Sequence, residues 1–194
     1  MKLQPLMQKA LGDDWEHLPP ALQAHYRAES NVDVGVLTIS YPPLMRPYLF
    51  LLKLIGALIN RAGTSSEAKV HKSMSGMRQY WRREIRFADG ELVCFNSEWE
   101  HAGGNQLIEY VNPLFGLRMS VRVEEGKLLY EGTHVVFKLG PLRLPIPEWL
   151  LLGHTTIVEQ AHGDGSFSMD FRLEHPWFGQ VYRYTGRFRT QADE

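Results

Sequence analysis

Only one cysteine, Cys94, stands in the 194 residues. That excludes an intrachain disulfide and a Cys-rich zinc site, and a reducing compartment is the simplest home. Neither sign of charge dominates, since 21 Lys and Arg against 22 Asp and Glu leave a formal net charge of -1. Nothing global attracts the polyanionic backbone of nucleic acid, so no nucleic-acid partner is expected. Long apolar runs are missing too. The most apolar stretch, YPPLMRPYLFLLKLIGALINR from Tyr41 to Arg61, is confined to Pro47 to Ile59 and carries Lys53 and Gly56 inside it, short of the ~20 residues of a transmembrane helix. The start, MKLQPLMQKALGDDWEH, meets Asp13 and Asp14 early and has no apolar core, unlike a secretory signal. A cytoplasmic location is the expectation.

Catalytic signatures are equally scarce. No G-x-S-x-G elbow, G-x-G-x-x-G or Walker loop occurs, and the histidines show no H-x-H or H-E-x-x-H spacing. Cys94 alternates onto an outward face beside Leu92 and Asn96. No catalytic residue can be named, no metal or cofactor is implied, and the balance leans away from an enzyme.

What is present is strand patterning. A composition of 44% hydrophobic and 22% charged residues supports a packed core in one domain spanning 1–194. Two short helical pieces, LQPLMQKALG closing at Gly12 and LPPALQAHYRAE opening on a proline pair, predict a helical cap over 1–30. NVDVGVLTIS alternates, with Val32, Val34, Val36 and Thr38 on one side, and predicts a strand from Val32 to Ser40. The apolar stretch then predicts a helix over 43–60. Its stripe of Leu44, Tyr48, Leu51, Ile55 and Leu58, with Phe50, Leu54 and Ile59 elsewhere, implies burial on more than one side. The helix is either a plug inside a curled sheet or a lid across its mouth.

From Thr64 onward, β-branched and aromatic runs are punctuated by Asp89-Gly90, Gly103-Gly104-Asn105, Glu125-Gly126 and Gly163-Asp164-Gly165, the residues that tight hairpins need. About ten strands result, more than one flat sheet comfortably holds. The expected fold is therefore mainly β (α+β), a curled antiparallel sheet or calycin-like β-barrel over 31–190, with the apolar helix after its first strand. A helix-grip fold would close on a long C-terminal helix, whereas GQVYRYTGRFRTQADE reads as a strand and a charged tail.

Some charges fall on the inward face. In YWRREIRF alternation points Trp81, Arg83, Ile85 and Phe87 inward, and in the next strand Val93, Phe95, Ser97 and Trp99. Glu109 lies between Leu107 and Val111, and Glu159 beside Ile157 and Thr155. An interior Arg83 requires an ion pair with Glu109 or Glu159, or a planar anion such as a ligand carboxylate. His134 falls on the face with Tyr130 and Val136 as a weaker candidate.

The C-terminal third, LGPLRLPIPEWLLLGHTTIVEQAHGDGSFSMDFRLEHPWFGQVYRYTGRF, carries a resemblance. Leu139-Gly140, Leu144 to Pro147, Glu159, Gly165 to Asp170, Pro176 to Gly179 and Tyr184 to Gly186 match the pattern of the bacterial domain-of-unknown-function family 4166. The LGDDWEHLPPALQAHY segment and the Trp81, Arg83 and Phe87 strand are similar to the same family, so the resemblance covers nearly the whole chain. It implies no established activity. Such domains also look similar to segments fused behind nucleotide-binding oxidoreductase domains, which implies an accessory role.

Three functions follow as expectations. The first is non-catalytic binding of a lipophilic small molecule in a barrel, an acidic one where Arg83 is its anchor, with Trp81, Phe95, Trp99, Arg83, Glu109, Glu159 and His134 at the site. Its mark would be an interior cavity of several hundred Å3, roughly the size of small-molecule pockets. The second is an accessory or catalytic domain using Glu109, Glu159 and Arg83. The third is an interaction module whose apolar helix contacts a partner or the membrane surface, or whose edges form a homodimer.

Overall fold

The computed structural model describes residues 4–54, 59, 61–151 and 153–192. Helix α1 (Leu6–Leu11) stops at Gly12, whose φ of 57° closes the helix, and a 3-10 turn (Gly12–His17) leads to α2 (Pro20–His25). Leu6, Met7, Trp15, Leu18 and Leu22 are buried, each side chain worth about 1.5–3 kcal/mol relative to exposure. The helices thus pack as the predicted cap.

Among the described residues eleven strands follow: β1 (Asn31–Ser40), β2 (Gly63–Ser75), β3 (Arg78–Arg86), β4 (Leu92–Gly103), β5 (Gln106–Tyr110), β6 (Phe115–Glu124), β7 (Lys127–Leu139), β8 (Leu142–Ile146), β9 (His154–Ala161), β10 (Phe167–His175) and β11 (Gly179–Ala192). Neighbours pair antiparallel in the order β6-β5-β4-β3-β2-β1-β11-β10-β9-β7, and β6 also pairs with β7. That last pairing turns the sheet into a closed ten-stranded barrel. Closure is possible because β7 is long: Lys127 to Glu131 bonds to β9, while Val135 to Leu139 bonds to the extra strand β8.

Hairpin turns fall where the turn chemistry sits. Gly90, Glu125, Gly126 and Gly165 all have positive φ, which a tight reversal requires. Two other glycines serve the interior instead. A Cβ on Gly35 would lie 2.0 Å from the Arg187 carbonyl oxygen and 2.7 Å from the Phe188 ring, and one on Gly186 would lie 2.5 Å from the same ring. Phe188 can cross the barrel wall only over bare backbone.

The antiparallel alternation of strand direction gives the barrel two distinct ends. The N-terminal cap and the β2–β3, β4–β5, β6–β7 and β9–β10 turns share one end, here the floor. The connections after β1, β3, β5, β8 and β10 share the other, the mouth. A 3-10 turn (Pro43–Met45) and α3 (Arg46–Leu54) stand in the first of these. Residues 55–58 and 60 of the predicted 43–60 helix, Ile55 and Leu58 among them, lie outside the described residues. Met45, Leu49 and Leu52 are buried, but Leu44, Phe50 and Leu51 are exposed. Over its described part the expectation of burial on more than one side is corrected: α3 has one inner face, with Leu49 and Leu52, and its other face is left to solvent.

Parity in β1 also differs from a simple apolar stripe. Asp33, Leu37 and Ile39 point into the barrel, and Val36 is exposed. The valines face outward, since β-branched residues suit either surface of a pleated sheet.

Candidate functional site

Three side chains meet near the floor. Helix α2 ends at His25, β1 supplies Asp33 and β2 supplies Lys72, all buried. Asp33 Oδ2 lies 2.6 Å from His25 Nδ1 and 2.6 Å from Lys72 Nζ, Nζ is 2.7 Å from Nδ1, and Thr190 donates to Asp33 Oδ1 at 2.7 Å. Lys72 also donates to the His25 carbonyl and sits 5.3 Å from the Trp81 ring centre. Burial works against ionisation of Asp33, but the pull of His25 and Lys72 and their hydrogen bonds hold the carboxyl well below the usual carboxylate range. Burial pushes His25 down to about 4 despite Asp33, and Lys72 down to about 8 against the same attraction. At neutral pH, then, Lys72 is the cation and His25 is uncharged.

His25 Nδ1 lies within reach of both the Lys72 ammonium and the Asp33 carboxylate: it accepts from Lys72 in the tautomer with the proton on Nε2, and donates to Asp33 in the one with the proton on Nδ1. Nε2 is buried without a hydrogen-bond partner among the described residues, 3.9 Å from Glu159 Oε1. Glu159 sits in a second group, where Tyr26 Oη contacts its two oxygens at 2.9 and 2.8 Å and also bonds to Tyr130 Oη. Burial raises Glu159 to about 8, which keeps it protonated at neutral pH, and lifts both phenols well above their ordinary range.

Arg83 forms a third group higher in the barrel. Its guanidinium donates to Glu109 Oε1 at 2.9 Å and Ser97 Oγ at 2.7 Å, between the Trp81 and Phe95 rings at 4.9 and 5.3 Å from their centres. The ion pair anticipated for Arg83 is therefore made with Glu109. Glu159 belongs elsewhere: no hydrogen bond or ion pair joins it to Glu109 or Arg83 among the described residues. The two carboxyls thus have different partners, Arg83 for Glu109 and Tyr26 for Glu159.

A cavity of about 120 Å3 runs from this floor to the mouth. His25, Asp33, Arg83 and Glu109 line it with Trp81, Phe95, Phe115, Met169 and Phe171, and Leu52 and Leu151 close the upper part. One water needs roughly 10–15 Å3, so the interior is not filled, yet the space is smaller than the several hundred Å3 expected.

Of the residues expected at the site, Arg83, Glu109, Trp81 and Phe95 border the cavity, while Trp99 and Glu159 are buried just outside its lining. His134 is misplaced by the expectation. A β-bulge opposite Arg118 and Met119 shifts the register of β7, so Val135 faces the cavity, and His134 lies outside its lining, 3.2 Å from Thr133 Oγ1 and opposite Arg118. The alternation of strand residues missed His25, Tyr26, Asp33, Lys72 and Tyr130. Asp33 was the available signal: an acid in the middle of an apolar strand.

No group of His, Cys, Asp and Glu among the described residues is arranged to hold a metal ion, and Cys94 is exposed as expected. No described helix is long and apolar enough to cross a membrane.

The sequence profile of the domain of unknown function DUF4166 matches residues 18–188. The chain belongs to this family. No curated protein matches the chain. Among solved structures, the DUF4166 barrel is similar to Rv2717c from M. tuberculosis, with a TM-score of 0.51 and 13% identity over 90% of this chain and 99% of that one. At that identity the likeness concerns the fold alone.

Proposed function

We propose that this DUF4166 domain binds a small, mainly apolar molecule of about one ring, carrying one neutral hydrogen-bonding group, without transforming it. The observation that carries the reading is the 120 Å3 cavity with apolar walls and His25 in its lining, a residue whose Nε2 has no hydrogen-bond partner among the described residues. An apolar cavity of ~150 Å3 suits benzene, which sets the size class. The charges around it cancel pairwise, Asp33 with Lys72 and Arg83 with Glu109, and His25 and Glu159 are neutral. A carboxylate ligand would have to displace Glu109 from Arg83, which leaves a buried acid unpaired. A neutral hydroxyl, which can donate or accept, can hydrogen-bond with the His25 ring without breaking either ion pair.

Titration calorimetry with benzyl alcohol and benzoate tests this. Benzyl alcohol binds and benzoate does not, and Met169→Trp, which fills the cavity, removes the signal in a folded protein. Benzoate binding tighter than the alcohol would overturn the neutral-ligand reading, and binding that survives Met169→Trp would place the ligand outside the barrel. Native mass spectrometry of protein expressed in bacteria offers an independent view of what the cavity retains.

A further inference from the structure

The two ends of the barrel differ in their exposed surfaces. At the mouth, Leu44, Phe50 and Leu51 on and before α3 share one end of the barrel with Trp149, Trp177 and Phe178 in the connections after β8 and β10, all six exposed. Leu44 is 81% and Trp177 74% exposed; the Trp149 and Trp177 rings pack on each other at 5.9 Å. At the floor, Met77 is the one large exposed hydrophobic in a turn among the described residues. Apolar surface gathered this way marks an interaction site rather than scatter.

Charge follows the same division. No acidic residue stands between Asp33 and Glu67, so α3 presents exposed Arg46 and Lys53 with no acid of its own. Of the acids at this end, Asp89 and Glu91 are paired to Arg61, and Glu174 is exposed at the end of β10. Floor turns carry exposed Asp13, Asp14, Glu16 and Glu125, together with Glu124 paired to Arg122 and Asp164 paired to Arg187 and Arg189.

From this we infer that the mouth docks on an anionic lipid surface, with α3 lying in the headgroup layer and the Trp149–Trp177 pair beside it. Indoles favour the membrane interface, and a helix with an outward apolar face and basic residues lies flat in it. A second copy of the chain fits poorly, because a two-fold contact through this face would set Arg46 and Lys53 against their own images. The upper part of the cavity, lined by Leu52 and Leu151, lies at the same end. The docking stands whether or not the cavity takes a ligand.

Co-sedimentation of the full chain with phosphatidylcholine vesicles, with and without about one quarter phosphatidylglycerol, tests it. The protein pellets with the anionic vesicles only. Leu51→Glu and Trp177→Glu each weaken binding by roughly tenfold or more, Arg46→Gln and Lys53→Gln by about fivefold per charge, and Met77→Glu leaves it unchanged. Circular dichroism checks the fold, and if a glutamate variant misfolds, the Arg46→Gln/Lys53→Gln pair decides. The proposal falls if the wild type stays in solution with both vesicles, or if the mouth variants bind as the wild type does. It falls equally if gel filtration shows a dimer that Leu51→Glu breaks, since that face would then join two copies.

Discussion

The floor and the mouth of this barrel handle side chains in opposite ways. Beneath the N-terminal cap, His25, Asp33, Lys72, Tyr26, Tyr130 and Glu159 are buried polar groups, each held by another. At the mouth, apolar side chains that could have been buried are left in water. A buried charge is stable only while its partners remain, whereas an exposed leucine costs the fold almost nothing. Substitutions at the two ends should therefore separate stability from docking.

The largest effect is expected at the floor. Asp33→Ala strands the Lys72 ammonium in the interior without its carboxylate, so urea unfolding should show a loss of about 3–5 kcal/mol. A loss below ~1 kcal/mol would mean that Lys72 releases its proton or reaches water, and the contrast between the ends would be broken.

A smaller effect concerns pH. The folded pKa of Glu159 is raised to about 8, so the folded state holds a proton that the unfolded state releases near its ordinary value. Stability from this group is full below the unfolded pKa and is lost as pH rises through about 8. His25 acts in reverse, with its pKa lowered to about 4: stability is lost as pH falls from its ordinary 6.5 towards 4. Between pH 6.5 and 8 the Glu159 contribution remains while that of His25 has levelled off. Glu159→Gln should flatten the fall in stability across that interval, a difference on the order of 1–2 kcal/mol. Parallel wild-type and variant curves would show that Glu159 is ionised in the folded protein.

The smallest stability effect belongs to the mouth. Leu51→Ser should change unfolding by no more than ~0.5 kcal/mol, while it weakens vesicle binding. A large loss of stability would mean that α3 is packed into the barrel more deeply than its outer face indicates, which would sharpen the boundary between the two regions.

Local features of the chain were readable where local chemistry decides them. The hairpins at Gly90 and at Glu125-Gly126 follow from backbone conformations that those residues tolerate, and Trp81, Arg83 and Ile85 share a face because a strand alternates. The Arg83–Glu109 pair was accessible by the same parity. Alternation failed at β1, where outward valines mimic a core stripe, and at His134, where a bulge in the β6–β7 pairing reverses the parity of everything beyond it.

The floor was hidden for a different reason. Tyr26 and Glu159 are 133 positions apart and His25 and Lys72 are 47 apart, and of these four only Glu159, an acid on an inward face, stands out in its own neighbourhood. Composition, turn residues and period-two patterning were enough to specify a curled, many-stranded sheet with a helix after its first strand, because each acts over a few residues. Which charges share the interior, which end is sealed and which end keeps its apolar side chains in water were decided only when β6 met β7. Closure brings distant strands around one cavity, and the low-dielectric interior then compels those charges to pair.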